Sequence, residues 1–473
     1  MFESTVYTRD GVNRSAVLNF MKTLKECNVD AHSFEVIQGA KMQVRIAPRP
    51  YSFDFKQQLY SLSKSFSSTA IGLLSDDGKV NIDDRIVDIF SDRCPGNIGE
   101  NMSKMRLRHV LSMNTGHKDC VLAKIRFEDD PVAAFIGIEP EFEPGTHFTY
   151  NNAATYILSQ VVAKYTGMTM YDFLSIRLFE PLGITGTHWN TFADGNSQGA
   201  VGLHASSDDV AKLGMLYLNK GVYNGKRIFS EKWVNAALSV HSDNSGNGTP
   251  DWVAGYGFQF WKNARSGFRG DGAFGQLCMI FPDKDMVVAA EVFCKESMQS
   301  EIECIYELAD NLYGNSDITD EDLRTFADNL NAPEKYSGGV LPDCEFRCDD
   351  NTLGITFAEF TEDDECIKLN FSDGTCRQNM VFGKDDYRQN NVIIKNFKPT
   401  LDELCGHSEK ENVHFAAYCS FKDGVLHLYI RFLDNPHTAE YICVFGEDEF
   451  TIKKALEDQF CKNIFLHAKK YDM

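Results

Sequence analysis

The chain has 473 residues, 43% of them hydrophobic, and a formal charge of −21, which is more chain than one hydrophobic core ordinarily serves, so two domains are expected. An acid excess on this scale repels phosphate backbones and anionic membrane surfaces, and no run of Lys and Arg offsets it, so neither nucleic acid nor membrane is expected as a partner. No stretch of about 18 apolar residues occurs, and "MFESTVYTRDGVNRSAVLNF" carries acids where an export signal needs a basic start, so the chain reads as cytoplasmic.

In chain order, "SAVLNFMKTLKECNV" has the spacing of a short helix, and "HSFEVIQGAKMQVRIA" reads as two strands turning at Gly39. From about residue 61 to 235 helical patterns dominate. "NAATYILSQVVAKYTG" and "MTMYDFLSIRLFEPLG" each end on a glycine at the expected stop position. Strands return in "GYGFQFWKNARSGFRGDGAFGQLCMIFPDKDMVVAAEVF". Strands, a helical block and strands again predict an α/β (α+β) fold: an antiparallel sheet with flanking helices and an inserted helical lobe. Beyond "ELADNLYGNSDITDEDL" the texture becomes alternating runs such as "ECIKLNF" and "VLHLYIRFL", separated by turns like Ser372-Asp373-Gly374 and Lys422-Asp423-Gly424. That predicts a first domain over 1–315 and a β-rich acidic one over 316–473. From Asp317 onward the chain holds 31 acidic and 17 basic residues, so this third supplies 14 of the 21 excess negative charges. The 14 cysteines are scattered without a Cys-x-x-Cys pair and read as reduced thiols. Cys344 and Cys348 lack a second pair that would complete a zinc site, and no metal or cofactor is expected.

One short stretch carries chemistry. In "SLSKSFSSTAIGLL", Ser61 and Lys64 lie three apart at the head of a helical pattern in which Phe66, Ala70, Leu73 and Leu74 form one apolar face. Residues so spaced share a helix side with Cβ atoms ~5–6 Å apart, so the lysine amine can reach the serine hydroxyl. Free N–H groups of a first turn can donate to an oxyanion, while the positive helix end and apolar surroundings push the amine toward its neutral, basic form. A serine that starts a helix and a lysine on its surface are commonplace. This lysine, however, is set among small and apolar residues, and a buried lysine needs a reason.

The segment, followed by "DGKVNIDD", resembles the first motif of the serine β-lactamase and penicillin-binding-protein superfamily, particularly its class C and esterase-like branch. The likeness continues in order through "LRHVLSMNTGH", "EPGTHFTYNNAATYILSQVV", "PLGITGTHW", "GLHASSDDVAKLGMLYLNKGVYNGKRIFSEKWV" and "GDGAFGQLCMIFPDKDMVVA", covering roughly residues 30–310. The resemblance implies a β-lactamase/transpeptidase-like fold in which Ser61 is the nucleophile. Its second element, Tyr-x-Asn, occurs three times, ending at Asn152, Asn219 and Asn315. Only the first follows a turn that leads into a helix start, so Tyr150 and Asn152 are singled out. By resemblance Tyr150 shuttles a proton, with Lys64 either holding it as phenolate or acting as the base itself. Asn152 orients Lys64 and meets the substrate.

The third element, Lys-Thr-Gly or His-x-Gly in the family, aligns with Gly270-Asp271-Gly272. The cation is missing. Arg265 or Arg269, just upstream, could substitute for it, although a solvated arginine is the expected reading for each. Gly272 is small enough for close approach, and the Ala273 N–H is the expected second oxyanion donor. Two accidental motifs are set aside. Gly270-x-Gly272-x-x-Gly275 leads into a strand, not a helix, and Gly195-x-Ser197-x-Gly199 lies in polar loop sequence. His117, His147, His188 and His204 have no spacing that pairs them with a serine, though His147 lies near Tyr150.

The expected function is a serine hydrolase acting through an acyl-enzyme on a small ester or amide, with a small-molecule acyl substrate as its partner. A β-lactamase or D-Ala-type peptidase is the nearest alternative, disfavoured by the absent cation. A catalytically silent, penicillin-binding-like binding protein is the other, and the intact Ser61, Lys64, Tyr150 and Asn152 set argues against it. Oligomeric state is not legible.

Overall fold

A computed structural model describes residues 2–397, 411–455 and 465–471. The chain divides into two compact units, one of Tyr7–Ile46 and Gln58–Ile318, the other of Met1–Val6, Ala47–Gln57 and Thr319–Met473. The division falls between Ile318 and Thr319, where the sequence reading drew it at 315/316, and two N-terminal segments group with the C-terminal unit.

The first unit is built on a seven-stranded sheet of β1 (Thr5–Thr8), β2 (Val29–Gln38), β3 (Lys41–Ala47), β4 (Trp261–Lys262), β5 (Phe268–Gly272), β6 (Gln276–Phe281) and β7 (Met286–Cys294), in the spatial order β1-β3-β2-β7-β6-β5-β4. Strands β2 and β3 pair antiparallel through the turn at Gly39 and Ala40, both at φ +57°, the left-handed conformation a two-residue hairpin loop requires. Antiparallel ladders also join β7 to β2 and β6, and β5 to β6 and β4.

Alternation along β2 gives the sheet two covered faces. The Phe34 ring meets Phe20 of α1 (Arg14–Glu26) at 4.7 Å between centroids. Its neighbour Ser33 points the other way, Oγ lying 2.7 Å from Ser207 Oγ at the start of α2 (Ser207–Leu218). Helix α1 is started by Asn13, whose side chain accepts from the Ala16 amide, and buries Val17, Phe20, Met21 and Leu24 at helical spacing. Between the N-terminal hairpin and β4 the chain forms the helical lobe. The result is the expected α/β (α+β) architecture with an inserted lobe.

The second unit is an antiparallel ten-stranded sheet closed into a barrel. Its closing link alone is parallel among the described pairings, a bridge between Gly383 and Tyr418. Strand Val425–Phe432 shows the pattern plainly: Leu426, Leu428, Ile430 and Phe432 are buried and the residues between them partly exposed. Among the described residues no helix is long and apolar enough to cross a membrane, and the twelve described cysteines are free thiols.

Candidate active site

Ser61 lies in a single 3₁₀ turn, Tyr60–Leu62, which runs directly into the helix Ser63–Asp76. The helix was expected to bury one face. Instead every residue from Ser63 to Leu74 is buried, because the surrounding lobe covers it on all sides. Lys64, in its first turn, is 1% exposed. Its Nζ lies 2.9 Å from Ser61 Oγ and donates to the Ala200 carbonyl at 2.8 Å. Desolvation pushes the Lys64 pKa from 10.5 down to about 7, opposed by the Cys120 thiol and the Asp271 carboxylate. Ser61 itself is only partly buried, so its oxygen is reachable.

Tyr150 stands just ahead of the helix Asn152–Thr166, whose start is fixed by Asn151 accepting from the amides of Ala153 and Val121. Its hydroxyl hydrogen-bonds Ser61, and Lys64 Nζ lies 4.8 Å from its ring centre. Burial first and Asp271 second hold the phenol well above its ordinary pKa, so it is protonated near neutrality. The ring stacks on Trp261 at 5.5 Å and 20° and meets the edge of Tyr256 at 6.4 Å. The structure therefore brings Ser61, Lys64 and Tyr150 together.

Asn152 occupies the first helical turn beside Tyr150, yet the second hydrogen bond of Lys64 goes to Ala200 and not to Asn152. The Asn152 side-chain oxygen is buried and has no hydrogen-bond partner among the described residues, an unmet acceptor that costs free energy unless a donor arrives.

Strand β5 runs against the turn that carries Ser61. A Cβ on Gly272 would sit 2.0 Å from the Leu59 carbonyl, and one on Gly270 would sit 2.4 Å from Leu62 and 2.5 Å from Ser65 Oγ, so glycine is required at both positions. Ala273 follows, partly exposed, and the next ring, Phe274, meets Tyr60 at 5.2 Å. The Tyr60–Phe274 contact sets the Ala273 segment beside the turn that carries Ser61. Tyr60 and Phe274 take φ of +46° and +70°. Left-handed backbone at non-glycine residues is unusual and costs ~1–3 kcal/mol each.

One expectation fails here. Arg269 is not solvated but fully buried, because β5 is covered on both faces and offers no outward side. Its Nη2 lies 3.0 Å from Asp271 Oδ2 and its Nε donates to the same oxygen at 3.1 Å. Asp251 is 3.9 Å away, and the guanidinium lies 4.6 Å and 5.8 Å over the rings of Trp252 and Trp261. Arg265 is exposed, as expected, and pairs with Asp310 at 3.1 Å. Neither arginine stands in for the family's lysine. His147 stacks on Phe142 at 4.1 Å, and His117 bonds to Thr115 and the Ile138 carbonyl. Ser197 accepts from the Tyr171 amide in a loop, and Gly275 leads into β6.

Sequence reasoning missed the Ala200 carbonyl, a backbone group in a loop without a motif, and the Trp261 and Tyr256 rings around Tyr150. The assembled groups can do nucleophilic chemistry: a reachable hydroxyl, a desolvated amine touching it, a phenol bonded to the same hydroxyl with its ring under the amine, and a glycine-lined strand at its side.

Comparisons with known proteins bear on the family and the fold. The Beta-lactamase family model matches residues 27–309. Over 293 residues the chain is 24% identical to the 6-aminohexanoate-dimer hydrolase of Paenarthrobacter ureafaciens, covering 56% of this chain and 72% of that protein. Among solved structures it is similar to EstCE1, a hydrolase with promiscuous acyltransferase activity, with a TM-score of 0.53 and 16% identity over 64% of this chain and 98% of that one. It is also similar to SurE, with a TM-score of 0.51 and 15% identity over 90% of this chain and 98% of that one.

Proposed function

We propose, from the premise that this chain belongs to the Beta-lactamase family of serine hydrolases, that it cleaves small esters or amides through an acyl-enzyme on Ser61. The observation that carries this reading is the buried Lys64 amine 2.9 Å from Ser61 Oγ, with a pKa of about 7. As a neutral amine it spends one N–H on the Ala200 carbonyl and keeps its lone pair for the Ser61 proton. Of the two proton-transfer schemes that the family allows, this one makes Lys64 the base and Tyr150 a phenol donor, because Tyr150's pKa is raised and not lowered.

The steps follow from these assignments. Ser61 Oγ bonds to the acyl carbon as its proton passes to Lys64, and the carbonyl oxygen becomes an oxyanion held by the Ser61 and Ala273 amides. The bond to the leaving group breaks as Tyr150 gives that group its proton and is reprotonated from Lys64. Water then enters by the same proton path, releases the acid and restores Ser61. Asn152, with its unmet acceptor, is positioned to take an N–H of an amide substrate. The relative named for the 6-aminohexanoate dimer supports amide bonds among the candidates. Carboxylate-bearing lactams are disfavoured because the nearest cation on β5, Arg269, is enclosed. Fourteen cysteines without a paired thiol among the twelve described support a reducing, cytoplasmic setting.

A panel of short p-nitrophenyl esters, p-nitroanilides and nitrocefin tests the reading. Ester or anilide turnover that exceeds nitrocefin turnover and vanishes in Ser61→Ala is expected. Dominant nitrocefin hydrolysis favours the β-lactamase alternative, and no Ser61-dependent turnover removes the hydrolase reading.

A further inference from the structure

The surroundings of Tyr150 bear on what the leaving group is. If Tyr150 protonates the leaving group, that group departs beside the Tyr150 hydroxyl, and its outer part meets whatever lies next to that ring. Three features lie there. Aromatic rings come first: Trp261 stacks on Tyr150, Tyr256 meets it edge-on, and the partly exposed Phe148 lies 6.0 Å from Trp261 and 5.4 Å from Tyr256. Such faces attract cations through the ring quadrupole.

The second feature is Asp271, whose side chain keeps 7% of its surface exposed on the strand leading to Ala273. It occupies the middle of the segment where the family carries a cation. The third is the charge balance behind the rings. Arg269 is a single positive charge enclosed by the carboxyl groups of Asp271 and Asp251, at 3.0 Å and 3.9 Å, so it is matched from within the cluster. Being 0% exposed and already committed to these carboxylates, Arg269 cannot turn outward to meet a substrate anion. Lys64 adds no compensating charge in its neutral form.

We infer that the leaving-group side of this site selects substrates whose leaving group carries a positive charge, an amine-derived cation, and that Asp271 sets the preference. This rests on the hydrolase reading above and adds a substrate class to it. A carboxylate there would face Asp271 and an arginine already enclosed, whereas a quaternary or protonated amine would meet aromatic faces and the Asp271 carboxyl group.

The test uses the full chain and three acetate esters with leaving groups of similar size and different charge, followed by pH-stat: acetylcholine, 3,3-dimethylbutyl acetate and the acetate ester of 3-hydroxypropanoate. Wild type is expected to show kcat/KM for acetylcholine ~10-fold or more above the neutral ester, with the anionic ester slowest, as a cation–π contact and a nearby carboxylate together supply. In Asp271→Asn the cationic-to-neutral ratio is expected to fall at least ~3-fold, and in Phe148→Leu it falls as well, which reads out the aromatic contribution if the first variant fails to fold. Equal losses on both esters in a folded Asp271→Asn, leaving the ratio unmoved, would overturn the role of Asp271. Wild-type turnover of the neutral ester without preference for the cationic one would overturn this inference while leaving the hydrolase reading intact. Turnover of none of these esters, p-nitrophenyl esters or anilides removes both.

Discussion

The barrel unit and the turn that carries Ser61 obey different rules. Along Val425–Phe432 every second side chain is buried and apolar, and backbone groups pair with both neighbouring strands. Around Ser61 a lysine and an arginine are wholly enclosed. Two bulky residues take left-handed backbone, and one side-chain acceptor has no partner among the described residues. Burial without compensation is what shifts the Lys64 amine to about 7. The barrel spends its sequence on stability, while the site gives up stability for a reactive pair.

Substitutions can break that contrast from either side. The largest effect is expected for Ser61→Ala: acylation, measured by single-turnover kinetics on a p-nitrophenyl ester, falls on the order of 10⁴-fold or more while the unfolding midpoint barely moves. In the barrel the reverse is expected. Phe432→Ala empties a fully buried ring position that packs on Phe397 and Phe415, costing ~3–5 kcal/mol in denaturant unfolding of that unit. The sharper test of the site is Lys64→Ala, which is expected to slow acylation at least ~10²-fold, the usual worth of a general base. Wild-type-like acylation would reject its role.

The smallest effect sharpens the comparison most, because it runs against ordinary intuition about mutation. The folded Lys64 holds its proton less tightly than the unfolded chain, about 7 against 10.5. The unfolded state therefore binds more protons between those values, and native stability falls as pH drops through that window, with the full cost present at pH 7 and below. Lys64→Met removes the cost but leaves the Ala200 carbonyl unpaired. A net gain of ~1–3 kcal/mol at pH 7 is expected, shrinking toward pH 10, in thermal unfolding.

Much of this was legible in the chain, and the reasons are physical. The 3.6 period and glycine stops located Asn152–Thr166 and its left-handed end at Gly167. The hairpin at Gly39 followed from two strand-like runs, and the β-rich character of the second unit from repeated alternation, whereas its closure into a barrel was not read from the sequence. Ser61 and Lys64 were visible because their contact is local, one helical turn. What was hidden depends on distant chain. Ala200, 136 residues from Lys64, acts through a backbone carbonyl that no side-chain pattern marks. Arg269 looked solvated because an isolated arginine usually is. Only the packing of β5 between two covered faces, with Trp252, Trp261 and Asp271 converging on it, makes it internal.

The account's central claim is that a lysine neutral near pH 7 activates Ser61. The rate of Ser61 labelling by a fluorophosphonate, followed from pH 5 to 9, tests it most directly. A rate that climbs with a single ionisation near 7 and then levels off, absent in Lys64→Ala, is the predicted result. A rate flat across that range, or the same profile in the Lys64 variant, would contradict it.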